Sequence, residues 1–338
     1  MVWLPQAIHT PPSVLPMYAI TFLLMLGACG QKASPHTTSG VDSSASADSA
    51  VPDTEQPSTT AWHDLEYTNS SEPDAPTNRL DLYKREGTDP QPLVLLVHGG
   101  SWVGGDKANF ADAAAHFIPW WIAQGYTVAA VNFRLASRLG EPLTVSPKEQ
   151  ATDIAHALAW LHAHADEYRL IPQDTVLVGY SSGAHLVALL GADDTYLEAA
   201  GVPHERLAAT ISLDVHAYDV PYALSLMVGS EVEQNIPLIE HLFGTTEEEQ
   251  MSASPIAFID NRVAPAMMVS VDADPDQPGT HGYIVDQTAQ HYAAALQAAG
   301  HRAQTFHDPS ENHDSLAIGF GEAGDAVTQQ VEAFLSSQ

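Results

Sequence analysis

The sequence predicts an α/β protein with a doubly wound, mostly parallel sheet and a small insertion. Apolar segments of strand length alternate with segments of helical periodicity along residues 92–335, which is typical of such a sheet. The run 92–97 is apolar throughout, as in a central strand that is buried on both faces. Residues 175–178 lead through a Gly-Tyr-Ser-Ser-Gly turn into the apolar run 186–190, a strand, a tight turn and a helix in succession.

The individual elements follow from the same periodicities. The predicted strands are 63–68, 79–83, 92–97, 126–133, 175–178, 208–213, 266–271 and 302–306. The predicted helices include 110–124, 147–166, 284–299 and 326–335. Polar and apolar residues alternate in the first two strands, which favours an antiparallel hairpin at the sheet edge. Segment 218–261 breaks the alternation. We interpret it as an insertion over the active site, and a plain crossover helix with a solvated loop is the alternative.

Residues 1–61 of the chain suggest export. An apolar run at 18–28 ends in Leu26-Gly27-Ala28 and Cys29, the only cysteine, so no intramolecular disulfide can form. Small residues before a lone cysteine resemble the lipobox of bacterial lipoproteins, although no Lys or Arg precedes the apolar run. We expect a signal peptide at 1–28, a lipidated Cys29, a disordered Ser/Thr/Pro-rich tether at 29–61 and a folded domain at 62–338. The protein would then be anchored to a bacterial membrane on its periplasmic or cell-surface side.

The charge balance excludes one class of partner. Only 12 lysines and arginines oppose 42 acidic residues, for a formal net charge of −30. A chain without a basic patch is a poor ligand for nucleic acid. We therefore expect a small-molecule substrate, no nucleic acid, and membrane contact only through the lipid anchor.

Ser181 lies at the apex of the Gly-Tyr-Ser-Ser-Gly turn. A sharp turn from a strand into a helix exposes the hydroxyl to a base and to a substrate carbonyl. The N–H of Ser182 lies at the helix amino terminus, where a developing oxyanion would form. Gly100 and Ser101 follow a buried strand in a Gly-rich turn, and we expect their N–H groups to complete this oxyanion hole. The same turn does not satisfy the phosphate-binding pattern G-x-x-x-x-G-K-[ST].

A serine nucleophile needs a base that removes its proton. Of the 17 histidines, His307 and His313 follow the last predicted strand, and we favour His313 because it lies in a loop before a helix. His162 and His164 are two apart on a helix and do not share a face. With no cysteine or third ligand nearby, we expect no metal site, and hydrolysis by a serine nucleophile needs no cofactor.

A set of motifs then resembles a known superfamily. His98-Gly-Gly-Ser-Trp, Val131-Asn-Phe-Arg-Leu, Asp153 at the start of a helix, the Ser181 turn, Ala253-Ser-Pro and His313 occur in this order. Together they are similar to the α/β-hydrolase superfamily, in particular to carboxylesterases of the hormone-sensitive lipase type, feruloyl/acetyl-esterase-like enzymes and kynurenine formamidases. The resemblance implies a hydrolase that forms an acyl-enzyme. It also implies that Arg134 and Asp153 brace the scaffold.

The orienting acid should follow the strand 266–271. Three aspartates compete, Asp272, Asp274 and Asp276. Asp272 is too close to the strand to turn inward easily, and Asp276 lies inside an inserted loop. Asp274 also matches the spacing that the resemblance implies, counted from Pro265. We therefore expect Asp274 to orient His313.

Taken together, the residues predict a serine hydrolase that cleaves carboxylic esters with Ser181, His313 and Asp274. An amidase or formamidase is the alternative, since the same residues serve both reactions. A non-catalytic binding protein of the same fold is a third reading. The apolar insertion suggests a pocket for an acyl or aryl group, and the scarcity of basic residues argues against a strongly anionic substrate.

Overall fold

The structure is a computed structural model that describes residues 58–67, 77–87, 89–112 and 114–337. Cys29, the expected signal peptide and most of the expected tether lie outside these residues. The described residues form an eight-stranded sheet in the order β1-β2-β4-β3-β5-β6-β7-β8. The strands are β1 Thr59–Glu66, β2 Arg79–Arg85, β3 Gln91–Val97, β4 Thr127–Val131, β5 Leu170–Tyr180, β6 Leu207–Leu213, β7 Ala266–Val271 and β8 Ala303–Asp308. Pairs β1/β2 and β2/β4 are antiparallel, and the other pairs are parallel.

The folded domain includes residues before 62, the boundary that we expected from the sequence. β1 starts at Thr59, which pairs with Arg85 of β2. The Ser58 carbonyl also accepts a hydrogen bond from the Glu86 N–H at 2.9 Å. Backbone pairing fixes Ser58 and Thr59 in the structure. Their polar side chains did not indicate a strand. The expected tether therefore cannot extend to residue 61.

Helices cover both faces of the sheet. They are α1 Asn109–Asp112, α2 Phe117–Ala123, α3 Pro147–Ala163, α4 Ala165–Tyr168, α5 Ser182–Ala192, α6 Thr195–Ala199, α7 Val220–Met227, α8 Ile236–Phe243, α9 Glu247–Met251, α10 His281–Ala298, α11 His313–Gly319 and α12 Ala326–Ser336. In β3, Leu93 and Leu95 contribute to one apolar core, whereas Val94 and Leu96 contribute to the other. Successive side chains of a strand point to opposite faces, so this central strand is buried on both sides, as its apolar run predicted.

The helix expected over 110–124 is divided in two. α1 ends at Asp112 and α2 begins at Phe117. A continuous helix would place the ring of Pro119 against the carbonyl of Ala115 and would lose one hydrogen bond. The proline is therefore accommodated in the first turn of a new helix.

Segment 218–261 is helical and lies between β6 and β7. Asp219 caps α7 by accepting a hydrogen bond from the Tyr222 N–H at 3.0 Å. Thr246 and Glu249 form a reciprocal capping box at the start of α9, which satisfies backbone donors that the helix leaves free. The segment is thus a set of short helices, of which α7 and α9 are capped by side chains, and not a single crossover helix. Among the described residues, no helix is both long and apolar enough to cross a membrane.

Candidate active site

Ser181 joins β5 to α5 in the conformation that the turn motif requires. Its φ of 55° and ψ of −125° are rare for a residue with a side chain and store strain. The Ser181 N–H donates to the Leu213 carbonyl at 2.8 Å, and the Ser181 carbonyl accepts from the Ala184 N–H at 2.9 Å. The turn is therefore held by β6 on one side and by the first turn of α5 on the other.

The two glycines of the turn motif allow close backbone approach. A Cβ atom at Gly179 would lie 2.2 Å from the Gly183 carbonyl oxygen. A Cβ atom at Gly183 would lie 2.2 Å from the Val97 carbonyl oxygen. Neither distance is possible for a real side chain. Helix α5 can therefore pack directly on the ends of β3 and β5 only because both positions lack a side chain.

His313 is the first residue of α11, and its Nε2 lies 3.1 Å from Ser181 Oγ. The Asn312 side chain accepts hydrogen bonds from the N–H groups of Asp314 and Ser315 and so caps the helix. The Tyr180 hydroxyl donates to the His313 carbonyl at 2.6 Å, and the two rings stack with centroids 5.0 Å apart. The structure thus brings His313 to Ser181, and both its backbone and its ring are held there.

The acid beside His313 is Asp214, so the assignment of this role to Asp274 was wrong. His313 Nδ1 donates to Asp214 Oδ2 at 2.5 Å. Asp214 directly follows β6, and its side chain is fully buried. Its Oδ1 accepts a hydrogen bond from the Val271 N–H at 3.2 Å. The carboxylate is therefore fixed between the ends of β6 and β7.

The three aspartates that follow β7 lie elsewhere. Asp274 is exposed, and its carbonyl accepts hydrogen bonds from Gln277 and Thr280. Asp276 is exposed in the same loop. Asp272 pairs with His281, with 2.7 Å between Oδ2 and Nδ1. The loop thus turns the expected acid away from His313.

Sequence reasoning also missed three residues around Ser181, namely Asp214, His216 and His281. The available signal was the position of Asp214 and His216 directly after the strand 208–213, because ligands bind beyond the carboxyl ends of parallel strands. His307, the weaker candidate base, instead bonds through Nδ1 to the Ser270 hydroxyl at 3.0 Å and through Nε2 to the Asp272 carbonyl at 3.0 Å. His307 therefore stabilises the carboxyl end of β7 and is not the partner of Ser181.

The surroundings of His313 favour its protonated form. Burial opposes protonation, but the hydrogen bond and negative charge of Asp214 outweigh it and raise the pKa of His313 above its ordinary value. A base with a raised pKa accepts the serine proton more readily. Asp214 also fixes which ring nitrogen faces Ser181, since Nδ1 is committed to the carboxylate.

The Gly-rich turn after β3 lies beside Ser181. Ser101 and Ser182 line the same cavity as Ser181. Ser182 is the first residue of α5, where the N–H has no partner within the helix. Gly100 precedes Ser101 in the turn, with a φ of 129°, and is not one of the lining residues.

A buried chain of hydrogen bonds fixes that turn to its surroundings. Trp102 Nε1 donates to His185 Nδ1 at 3.2 Å, and His185 Nε2 donates to the Ala253 carbonyl at 2.8 Å. Burial lowers the pKa of His185 to about 4, so the ring is neutral and can accept from Trp102. His185 lies in α5, where it connects the turn to the insertion.

The other motif residues have structural contacts. Arg134 bonds Asp153 through Nε and Nη2, both at 2.8 Å, and the Asp153 side chain is only 4% exposed. This pair braces α3 against the segment that follows β4, as the resemblance implied. His162 bonds the Thr175 hydroxyl, and His164 stacks on Trp160. The two histidines of the His-x-His pattern therefore face different neighbours.

The cavity at Ser181 has a volume of about 220 Å³. Met227, Val232 and Asn235 of the insertion contribute to it, so the insertion does lie over the active site. The lining residues are Ser101, Trp102, Ser181, Ser182, Asp214, Val215, His216, Met227, Val232, Asn235, His281, Ile284 and His313. This volume is below the range of about 300–1,000 Å³ that is usual for sites of drug-sized ligands. The cavity suits a small substrate group.

Within the described residues, Asp214, His281 and His313 are a group whose ligand atoms all lie within 4.8 Å of one another. Such a group could hold a metal ion. However, Nδ1 of each histidine already bonds a carboxylate, His313 to Asp214 and His281 to Asp272. The donor set is thus organised as two His–Asp pairs.

Comparison with known proteins places this geometry in a family. The model of the BD-FAE family matches residues 80–287, more than half of the chain. The chain belongs to the BD-FAE family. This match confirms the resemblance drawn from the motifs.

Two curated relatives are esterases of Mycobacterium tuberculosis. Esterase LipQ is 22% identical over 76% of this chain, and the probable carboxylic ester hydrolase LipM is 26% identical over 59% of it. The chain spans 59% of the length of LipQ and 43% of that of LipM. Among solved structures, esterase B from Lactobacillus Rhamnosis is 18% identical, with a TM-score of 0.62 over 83% of this chain and 87% of that one. The likeness confirms the α/β-hydrolase fold.

Proposed function

We propose that this protein is a serine hydrolase that cleaves carboxylic esters through an acyl-enzyme. One observation carries the proposal: His313 lies between Ser181 Oγ at 3.1 Å and Asp214 Oδ2 at 2.5 Å, beside a cavity that opens onto all three residues. A nucleophile, a base and an orienting acid in this sequence are the parts that serine acyl transfer requires. The esterase names of the two relatives support the ester as substrate.

The chemistry follows from these positions. Ser181 Oγ attacks the ester carbonyl while His313 Nε2 takes the hydroxyl proton. Asp214 stabilises the imidazolium that forms. The N–H groups of Ser101 and Ser182, two residues that line the cavity with Ser181, are the proposed donors for the oxyanion. His313 then gives its proton to the leaving alcohol, and water attacks the acyl-enzyme with His313 again as base, releasing the acid and free Ser181.

The cavity restricts the substrate class. It is small, and its lining includes no lysine or arginine, whereas Asp214 is part of it. A charged carboxylate or phosphate in the cavity would meet negative charge without a cation. We therefore propose a neutral ester with a small group beside the scissile carbonyl. An amide has the same carbonyl chemistry, so a matched anilide is measured with each ester.

The test compares wild-type protein with Ser181→Ala. The wild type should hydrolyse short p-nitrophenyl esters and react covalently with a fluorophosphonate probe at Ser181. Ser181→Ala should lose the label and nearly all turnover, since any remaining rate would come from binding and the oxyanion donors alone. Ser182→Ala keeps its backbone N–H and should still be labelled. A Ser181→Ala protein that retains more than a tenth of the wild-type rate would contradict the proposal, and faster cleavage of the anilide would favour an amidase.

A further inference from the structure

Three histidines, His216, His281 and His313, face the same small cavity. The hydrolytic mechanism uses only His313. The other two come from separate elements: His216 follows β6 two residues after Asp214, and His281 begins α10. His216 and His281 thus add two polar rings to the cavity that the hydrolytic mechanism does not require.

His216 carries a buried polar atom without a partner. Its Nε2 has no hydrogen-bond partner among the described residues, although buried polar atoms are nearly always bonded. Burial, and after it the nearby His281, lower the pKa of His216 to about 4. The ring is therefore neutral near neutral pH. A neutral imidazole nitrogen can donate or accept one hydrogen bond, depending on its tautomer.

His281 is held rigidly on the other side. Its Nδ1 bonds Asp272 Oδ2 at 2.7 Å, and its backbone N–H donates to Glu231 Oε1 at 2.7 Å. Its ring is edge-on to His313, with centroids 5.6 Å apart. Because Nδ1 is engaged by Asp272, Nε2 is the ring atom of His281 that remains for another partner.

The groups around these two rings decide what could bind them. The carboxylates of Asp214 and Asp272 lie close by, and no lysine or arginine lines the cavity, so an anionic group would be repelled. A hydroxyl both donates and accepts, and it can therefore satisfy His216 in either tautomer. A methyl group of the same size would instead leave a buried nitrogen unpaired.

We propose that His216 and His281 form a polar subsite that binds a neutral hydroxyl group of the substrate next to the ester. This inference rests on the proposed function and narrows it to hydroxylated esters. The hydroxyl could belong to the acyl group or to the alcohol, and both place the same chemistry in the cavity. His216 is then a specificity-determining residue that discriminates a hydroxyl from a methyl group.

The test uses two pairs of esters that differ only by a hydroxyl in place of a methyl group, with hydrolysis followed by pH-stat titration. The acyl arm compares ethyl β-hydroxybutyrate with ethyl isovalerate. The alcohol arm compares ethylene glycol monobutyrate with propyl butyrate. We expect wild-type kcat/KM to favour the hydroxylated ester by about tenfold or more in one arm, because sites built to bond a hydroxyl discriminate strongly against its loss.

Three variants assign this preference to His216. His216→Phe should reduce the ratio to near one, whereas His216→Gln places an amide nitrogen near the position of Nε2 and should keep most of it. Val232→Ala changes an apolar wall of the same cavity and should preserve the ratio. Circular dichroism establishes that each variant is folded, and the wild-type ratio and His216→Gln remain informative if His216→Phe does not fold.

The outcomes separate the subsite from the proposed function. A wild type that hydrolyses all four esters with ratios within about threefold of one overturns the subsite and leaves the serine hydrolase intact. An unchanged ratio in folded His216→Phe does the same. A wild type that cleaves none of the esters and takes no fluorophosphonate label at Ser181 overturns both.

Discussion

At the scale of single residues, Asp214 and Asp274 are two carboxylates that follow neighbouring strands of the sheet. Asp214 is buried and bonded to His313, whereas Asp274 is exposed in the loop after β7. Only the first can fix the orientation of the imidazole ring. The choice between the two has a large kinetic consequence, because the acid sets the tautomer of the base and stabilises its charged form.

We expect Asp214→Asn to lower kcat by at least two orders of magnitude with little change in KM. The equivalent change in a serine protease costs roughly 10⁴ in kcat. Steady-state hydrolysis of a p-nitrophenyl ester measures this effect. Asp274→Asn is the matched control and should stay within a few-fold of wild type. A large loss in Asp274→Asn with a mild effect in Asp214→Asn would return the acid role to Asp274.

The pKa of His313 gives a second prediction at this scale. Catalysis requires neutral His313, so kcat/KM should fall as pH drops through the pKa of this residue. Asp214 raises that pKa, and the acid limb should therefore lie above the ordinary histidine value of about 6.5. In Asp214→Asn the residual activity should show its acid limb at lower pH. Asp274→Asn should leave the limb in place, and an identical limb in wild type and Asp214→Asn would refute the electrostatic role.

At the scale of elements, the packing of α5 against the ends of β3 and β5 positions Ser181. Gly183 makes this contact possible, because any Cβ there would press on the Val97 carbonyl, 2.2 Å away. Backbone atoms on both sides cannot yield without moving a strand or the helix. The position of the Ser181 turn therefore depends on the position of the central strands.

Gly183→Ala should lower the free energy of unfolding by about 1–3 kcal/mol or more, as overpacking of a dense interior does. Gly104→Ala is a suitable control, since its Cβ would meet only the Gly100 carbonyl oxygen at an ordinary 3.6 Å. Chemical denaturation followed by circular dichroism measures both. Equal stability of the two variants would show that the α5 contact is looser than the structure indicates.

The secondary-structure elements were the part of the fold that was best predicted from the sequence. Strands such as 92–97 and 266–271 were recognised because local periodicity determines them. Ser181 and His313 were recognised from the same alternation, because each follows a predicted strand. The acid did not, because it depends on how the loops after β6 and β7 turn, and Asp272 instead pairs with His281. Such contacts between distant loops leave no periodic trace in the sequence.

At the scale of the whole molecule, the net charge of −30 repels anions from the surface. The few cations within the described residues are partly committed to the scaffold: Arg134 bonds Asp153, and Lys107 bonds Asp64 and Asp81. The active-site cavity follows the same trend, with Asp214 and no basic residue in its lining. The charge of the surface and the charge of the cavity both favour neutral substrates, in agreement with the proposed hydroxyl-binding subsite.

The whole chain also includes Cys29, which lies outside the described residues. We propose that it is lipidated, since it is the only cysteine and follows an apolar run with Leu26 at position −3 and Ala28 at −1. A lipid on this residue would tie the hydrolase to a membrane through the polar segment that follows, and the domain itself would need no membrane-binding surface.

Cys29→Ser should therefore abolish incorporation of radiolabelled palmitate in a bacterial host and move the protein from the membrane fraction to the soluble fraction. A single acyl chain binds membranes only marginally, so stable anchoring requires the additional chains of a lipoprotein. Ser43→Ala in the same segment is the control and should be labelled like wild type. Fluorophosphonate labelling of Ser181 should be equal in all three proteins, because anchoring is separate from the catalytic domain. Equal palmitate incorporation in wild type and Cys29→Ser would exclude Cys29 as the anchor and leave the hydrolase assignment untouched.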